Sequence, residues 1–297
     1  MGQRGEAMGQ RGEAMNSRAY RPLPRNKIVS RRLRNFVLMG LGLALFSLAV
    51  RYLDDNLYGS STFSGWFLTA SIVVLAAFHW RKKVPVLAAL GSAAGWMQFH
   101  IYLGLSTFVL FGWHVHWTVP GGKLEQSLAI AYLLVASSGV YGLYLTRATP
   151  RRLAAIQRQF IYEQIPLLRR EVSRRARSLV LTEAGGNEIL ARVYVNRVAD
   201  FLEGTRGWWF AWWPSGNSCR KLISELVSLD RYLAPPQRET SRQLMGLIRE
   251  KDDLDYHAAL QGRLKGWLFL HVAMTYSLLT LMIVHIVLVY AFAGGGR

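Results

Sequence analysis

The chain has 297 residues, 51% of them hydrophobic, yet its formal net charge is +18. Apolar runs joined by basic loops reconcile these values, whereas a nucleic-acid binder would carry a zinc-finger or aromatic nucleic-acid motif, and none is present. The single cysteine, Cys219, excludes an internal disulfide and a thiolate-held cluster from this chain alone, and the absence of a Cys-x-x-Cys-His motif excludes covalent haem.

The first seven residues, MGQRGEA, are repeated in residues 8–14, and Met15 follows. One polar repeat pair cannot build a core, so residues 1–33 read as a disordered basic N-terminal tail. Residues 35–50 carry no charge and are followed by no small-x-small cleavage site. They read as an uncleaved first transmembrane helix rather than a signal peptide. The loop 54–64 holds Asp54 and Asp55 but no Lys or Arg, and a second apolar run, 65–80, stops at Arg81, Lys82 and Lys83. Residues 84–95 contain Pro85 and Gly91, too short and broken to span, and read as an interfacial segment.

A third run, 96–117, ends at the turn Val119-Pro120-Gly121-Gly122, and a fourth, 128–145, ends before Arg147 and Pro150. Polar residues 147–263 then show apolar positions at three- and four-residue steps, as in Leu222, Ile223, Leu226 and Leu229, which reads as a helical cytoplasmic domain. No phosphate loop, dinucleotide fingerprint or flavin motif occurs there. The last run lies in 264–293. The N-terminal arm, 81–83 and the region after Arg147 are rich in Lys and Arg, and the loops 54–64 and 118–127 are not. This alternation predicts five spans, with transmembrane helices 1–4 within 34–146, the N-terminus cytoplasmic and the C-terminus outside. The expected fold is an all-α integral membrane protein, its helical insertion on the cytoplasmic side.

Of the seven histidines, two pairs share one spacing: His100 and His114, then His271 and His285, fourteen residues apart in each case. Fourteen residues turn a helix by about 1400°, within ~40° of whole turns, so both imidazoles of a pair share a face. The rise of roughly 21 Å sets them near the two edges of a core about 30 Å thick. Spans three and five run in the same direction, so His100 and His271 would share the inner level, and His114 and His285 the outer. Ionisable groups inside spans are rare and point to function. Two imidazoles at each level can fill both axial positions of a haem iron, giving two non-covalent b-type haems stacked across the bilayer. His116, sixteen residues beyond His100, is turned about 160° away and expected at the interface. His79 reads as interfacial, and His257 as an ordinary residue of the polar domain.

This arrangement resembles the transmembrane domain of the ferric reductases and NADPH oxidases. It is also similar to the two-haem cytochrome b of quinol–cytochrome c reductases. The matched residues are His100, His114, His271 and His285, and the likeness covers the spans within 64–146 and 264–292. It implies a four-helix haem bundle and passage of electrons across a membrane. The ferric reductases carry flavin and nicotinamide domains after the last span, where this sequence stops at Arg297, and the quinol-site residues of cytochrome b are not found. The expectation is therefore an electron-transfer subunit rather than a complete enzyme, in a bacterial inner membrane with its C-terminus periplasmic. Its partners would be membrane lipid, a quinone, or a redox subunit such as a c-type cytochrome or an iron–sulfur protein. The competing expectation is a transporter or scaffold whose intramembrane histidines bind metal or relay protons.

Two polar-domain features stand apart. Residues 207–214 hold Trp208, Trp209, Trp212 and Trp213, which suit either a membrane surface or a small core. Arg169, Arg170, Arg174, Arg175 and Arg177 suit anionic lipid, an acidic partner or plain solvation.

Overall fold

The computed structural model describes residues 25–55, 60–78, 92–154, 160–183 and 188–293, and the regular structure among them is helical throughout. The chain divides into two compact units, Met1–Pro120 and Gly121–Arg297. Residues 1–24 and 79–91, which include most of the expected tail, His79, Arg81 to Lys83 and much of the expected interfacial segment, lie outside the described residues.

The first unit contains α1 (Arg25–Asp55), α2 (Ser60–Ala77) and α3 (Ala93–His114). Helix α1 begins inside the segment expected to be tail. Helix α3 begins inside the segment expected at the interface, because the Ser92 hydroxyl accepts from the Gly95 N–H at 3.1 Å and so caps its first turn. Phe46 of α1 packs on Phe63 and Phe67 of α2, at ring-centroid distances of 6.0 and 4.9 Å. Helices α2 and α3 are antiparallel: Phe78 meets His100 and Ser64 meets His114, so fourteen residues forward on one match fourteen back on the other. Asn35 of α1 donates to Gln98 of α3 at 3.4 Å.

Helix α3 ends at His114, short of the expected Trp117. His116 and Trp117 take left-handed backbone angles, φ 51° and 56°, and the Trp117 N–H returns to the Gly112 carbonyl at 2.9 Å. This closes the free carbonyls of the last turn, the usual chemistry of a helix C-terminus. His116 therefore owes its direction to a turn rather than to the helix wheel. It lies within 3.1 Å of the Ser61 hydroxyl.

The second unit contains α4 (Lys123–Ala154), α5 (Ile165–Glu183), α6 (Glu188–Val193), α7 (Ala199–Glu203), α8 (Trp208–Trp212), α9 (Asn217–Leu229) and α10 (Pro235–Ala293). A π-type turn, Tyr194–Val198, joins α6 to α7. Helix α4 runs on through Pro150 rather than stopping near Leu145. Helix α10 has 59 residues and passes without a break across the boundary expected between 263 and 264.

The N-terminal part of α10 carries a buried core. Ile165, Val172, Ala176 and Leu179 form one face of α5, seven, four and three residues apart, and share a cluster with Leu190, Val198, Leu202, Leu226, Leu244, Ile248 and Leu254. The C-terminal part of α10 packs antiparallel to α4. Ser138 meets His271 and Gly142 meets Trp267, so a step of four forward on α4 is four back on α10. Any side chain at 142 would force the Trp267 ring or the helix to shift, since a Cβ would lie 1.8 Å from that ring.

Four helices among the described residues are long and apolar enough to cross a membrane, within Leu33–Asp55, Ser60–Ala77, Lys123–Ala154 and Pro235–Phe292. Much of their apolar surface is bare, as at Leu33, Phe36, Leu45, Ile130, Ile283 and Phe292. Exposed apolar area on this scale marks a surface that meets something other than water. Helix α3 has 22 residues and no Asp, Glu, Lys or Arg, but Gln98, His100 and His114 lower its hydropathy, and it is not among the four.

Candidate haem-ligand histidines

His100 and His114 belong to the first unit, and His271 and His285 to the second. All four are partly buried. His100 lies beside Phe78, with ring centroids 5.0 Å apart. His285 sits fourteen residues beyond His271 on the same unbroken helix.

His114 and His271 have closely similar surroundings. The Nδ1 of His114 is 3.3 Å from the Ser64 hydroxyl on α2, and the Nδ1 of His271 is 2.6 Å from the Ser138 hydroxyl on α4. Each serine already gives its one hydrogen to its own helix: Ser64 donates to the Ser61 carbonyl at 3.1 Å, and Ser138 to the Val135 carbonyl at 2.8 Å. A hydroxyl has a single O–H and two lone pairs, so a serine whose hydrogen stays on its own helix accepts from the ring. With the hydroxyl hydrogens so placed, the imidazole proton lies on Nδ1 and Nε2 keeps its lone pair. That is the tautomer a metal-ligating histidine needs, with its other nitrogen held by a second group.

A glycine follows each serine. A Cβ at Gly65 would come within 2.9 Å of His114 Cε1, and one at Gly139 within 3.7 Å of His271 Cε1. Each Ser-Gly step places a serine hydroxyl against the ring; at Gly65 the missing Cβ also makes room for the His114 imidazole, whereas at Gly139 a Cβ would meet ordinary van der Waals contact. His271 is further braced by Trp267, stacked at 5.5 Å with its Nε1–H donating to the Ser138 carbonyl at 2.8 Å. Thr275 donates back to the His271 carbonyl at 2.8 Å, satisfying its own hydroxyl within the helix.

Sequence reasoning missed Ser64, Gly65, Ser138, Gly139 and Trp267. The available signal was the Ser-Gly pair within an apolar run, on the helix next to each histidine helix. Among the described residues no three His, Cys, Asp or Glu side chains gather as they would to hold a metal ion alone. A bis-imidazole haem asks for only two. His257, by contrast, is 2% exposed and lies edge-on to Phe160 at 5.1 Å, inside the polar domain.

Fold and site together define an all-helical protein whose long apolar helices are compatible with an integral membrane protein, with ordered imidazoles on two of its helices. Beyond that class, no protein family, curated protein or solved structure matches the sequence.

Proposed function

We propose that the chain is a di-haem b-type cytochrome subunit that carries electrons across a membrane. In this reading it has five spans, α3 being one of them. His100 and His271 hold the inner haem, and His114 and His285 the outer. The observation that carries the proposal is the matched fixing of His114 and His271. A serine hydroxyl on the adjacent helix lies against each Nδ1, and with its hydrogen on its own helix it favours the Nδ1–H tautomer. Iron held between two imidazoles has no open position and passes single electrons rather than binding oxygen. Ser64 and Ser138 hold the ring planes, and Gly65 leaves room for the His114 imidazole.

The basic loops set the N-terminus in the cytoplasm and the C-terminus in the periplasm of a bacterial inner membrane. Donor and acceptor would be a quinone and a partner redox protein on opposite faces, such as a c-type cytochrome or an iron–sulfur protein.

The test is the pyridine haemochrome of the purified chain. It should report two haems per polypeptide, with a b-type band in the reduced-minus-oxidised spectrum. His114→Ala should lose one haem and keep the other. Ser138→Ala keeps the ligand but frees its tautomer, and should weaken retention of the inner haem by roughly 10–100-fold, the usual cost of losing such a support. A colourless protein, or a His114→Ala variant with its full spectrum, overturns the assignment.

A further inference from the structure

Helix α8 and the residue that follows it display four indoles to the surroundings: Trp208 is 65% exposed, Trp209 63%, Trp212 49% and Trp213 77%. Trp208 and Trp209 stack on each other at 3.9 Å, so they form a plate rather than scattered rings. Residues 207–216 contain no charge, although Arg206 precedes them and Arg220 and Lys221 follow. The opposite side of α8 is anchored: the Arg206 guanidinium lies 4.5 Å from the Phe210 ring centroid, over its face. A water-facing helix would not normally present such a patch.

The position of α8 along the unit says what meets it. Arg263 of α10 donates to the Trp212 carbonyl at 2.9 Å, which fixes α8 at the level of residue 263. Beyond Arg263 the only charge on α10 up to Ala293 is Lys265, bound to Glu163 at 2.7 Å. On α4, the register set by Ser138–His271 and Gly142–Trp267 brings Arg147 to the same level. Both helices thus change from apolar to charged at one depth, and the C-terminal end of α8 is tied to α10 there. Tryptophan favours the headgroup layer, where an apolar ring and a polar N–H are both satisfied.

We infer that Trp208, Trp209, Trp212 and Trp213 dock into the phospholipid headgroup layer of the bilayer that holds α4 and α10. The plate seats the polar domain on the membrane surface. This rests on the membrane reading of those helices and adds a lipid contact outside the spans.

The experiment uses the full chain in phosphatidylcholine–phosphatidylglycerol vesicles. Emission of the variant carrying Trp208→Ser, Trp209→Ser, Trp212→Ser and Trp213→Ser is subtracted from that of the unchanged protein. The difference isolates the four rings. It should be blue-shifted, quenched by lipid brominated near the headgroup more than by lipid brominated deep in the chain, and shielded from aqueous iodide. Trp213→Ser alone, at the most exposed position, gives the same reading if the fourfold variant fails to fold. Difference emission quenched by iodide and untouched by bromolipid overturns the inference, as does emission quenched by neither, which would mean that protein covers the plate. Flotation with carbonate-washed vesicles separates the two levels: protein that does not float refutes the membrane reading, and protein that floats with iodide-quenched indoles refutes only the docking.

Discussion

Replacing Asp255 by alanine should unfold the polar domain well below the normal temperature. The Asp255 side chain is 1% exposed and lies within ion-pair distance of Arg169 and Lys251, each at 2.7 Å, and of Arg206 at 3.1 Å. Lys251 is equally enclosed. Burial holds its ammonium below the usual 10.5, and the Asp255 carboxylate is the main group opposing that shift. Removing one partner of a buried pair strands the other charge, at a cost of about 3–5 kcal/mol. At about 2–4 °C per kcal/mol for a unit of this size, the loss in Tm is roughly 6–20 °C. Circular dichroism of the helical signal on heating, in detergent, measures it.

Two companions check the cause. Removing both buried charges with Asp255→Leu and Lys251→Met should recover the part of the loss that comes from stranding Lys251, while Arg169 and Arg206 still lack the carboxylate. The deficit of Asp255→Ala should also shrink as pH rises toward 10.5. Between the lowered folded value and 10.5 the unfolded chain binds more protons at Lys251, so stability rises with pH across that window. A Tm loss under about 2 °C, a deficit that grows with pH, or a double variant no better than the single one would refute the reasoning.

Gly142→Val should loosen α4 from α10, because its side chain enters the Trp267 ring; overpacking of this kind costs about 1–3 kcal/mol. Gly139→Ala, 3.7 Å from His271, should be tolerated, and equal melting of the two variants would contradict the close approach. Cys219 is 6% exposed, and burial, helped by Asp252, pushes its thiol up to about 11 from 9.0. The folded chain therefore keeps a proton that the unfolded chain releases, a contribution present below pH 9.0 and lost as pH rises toward 11. Maleimide at neutral pH should label the protein only after unfolding, as read by intact mass; equal rates before and after would disprove the burial.

The helices were legible where composition alone decides. A backbone in lipid must satisfy its own hydrogen bonds, so charge-free stretches such as 35–50 and 266–293 read directly as helices. Ends were less legible. The change at 263 and 264 is one of polarity, and α10 crosses it because nothing there breaks a helix. Pro150 ends no helix, since its missing N–H costs a bond only within the last turns of α4. The shared face of His271 and His285 followed from spacing. The serines did not, because Ser64 is fifty residues from His114 and Ser138 is 133 from His271. Such partners are set by the packing of antiparallel helices, which a one-dimensional pattern does not encode.

The unbroken course of α10 has a consequence for evolution and engineering. Arg263, which grips α8, and His271 stand on one rigid rod, so their angular phase is locked. Inserting or deleting a single residue between them would swing both downstream imidazoles by about 100° and slide them about 1.5 Å relative to everything upstream. Length in this stretch is therefore as constrained as residue identity: even a seven-residue step, which nearly restores the phase, slides the imidazoles about 10.5 Å.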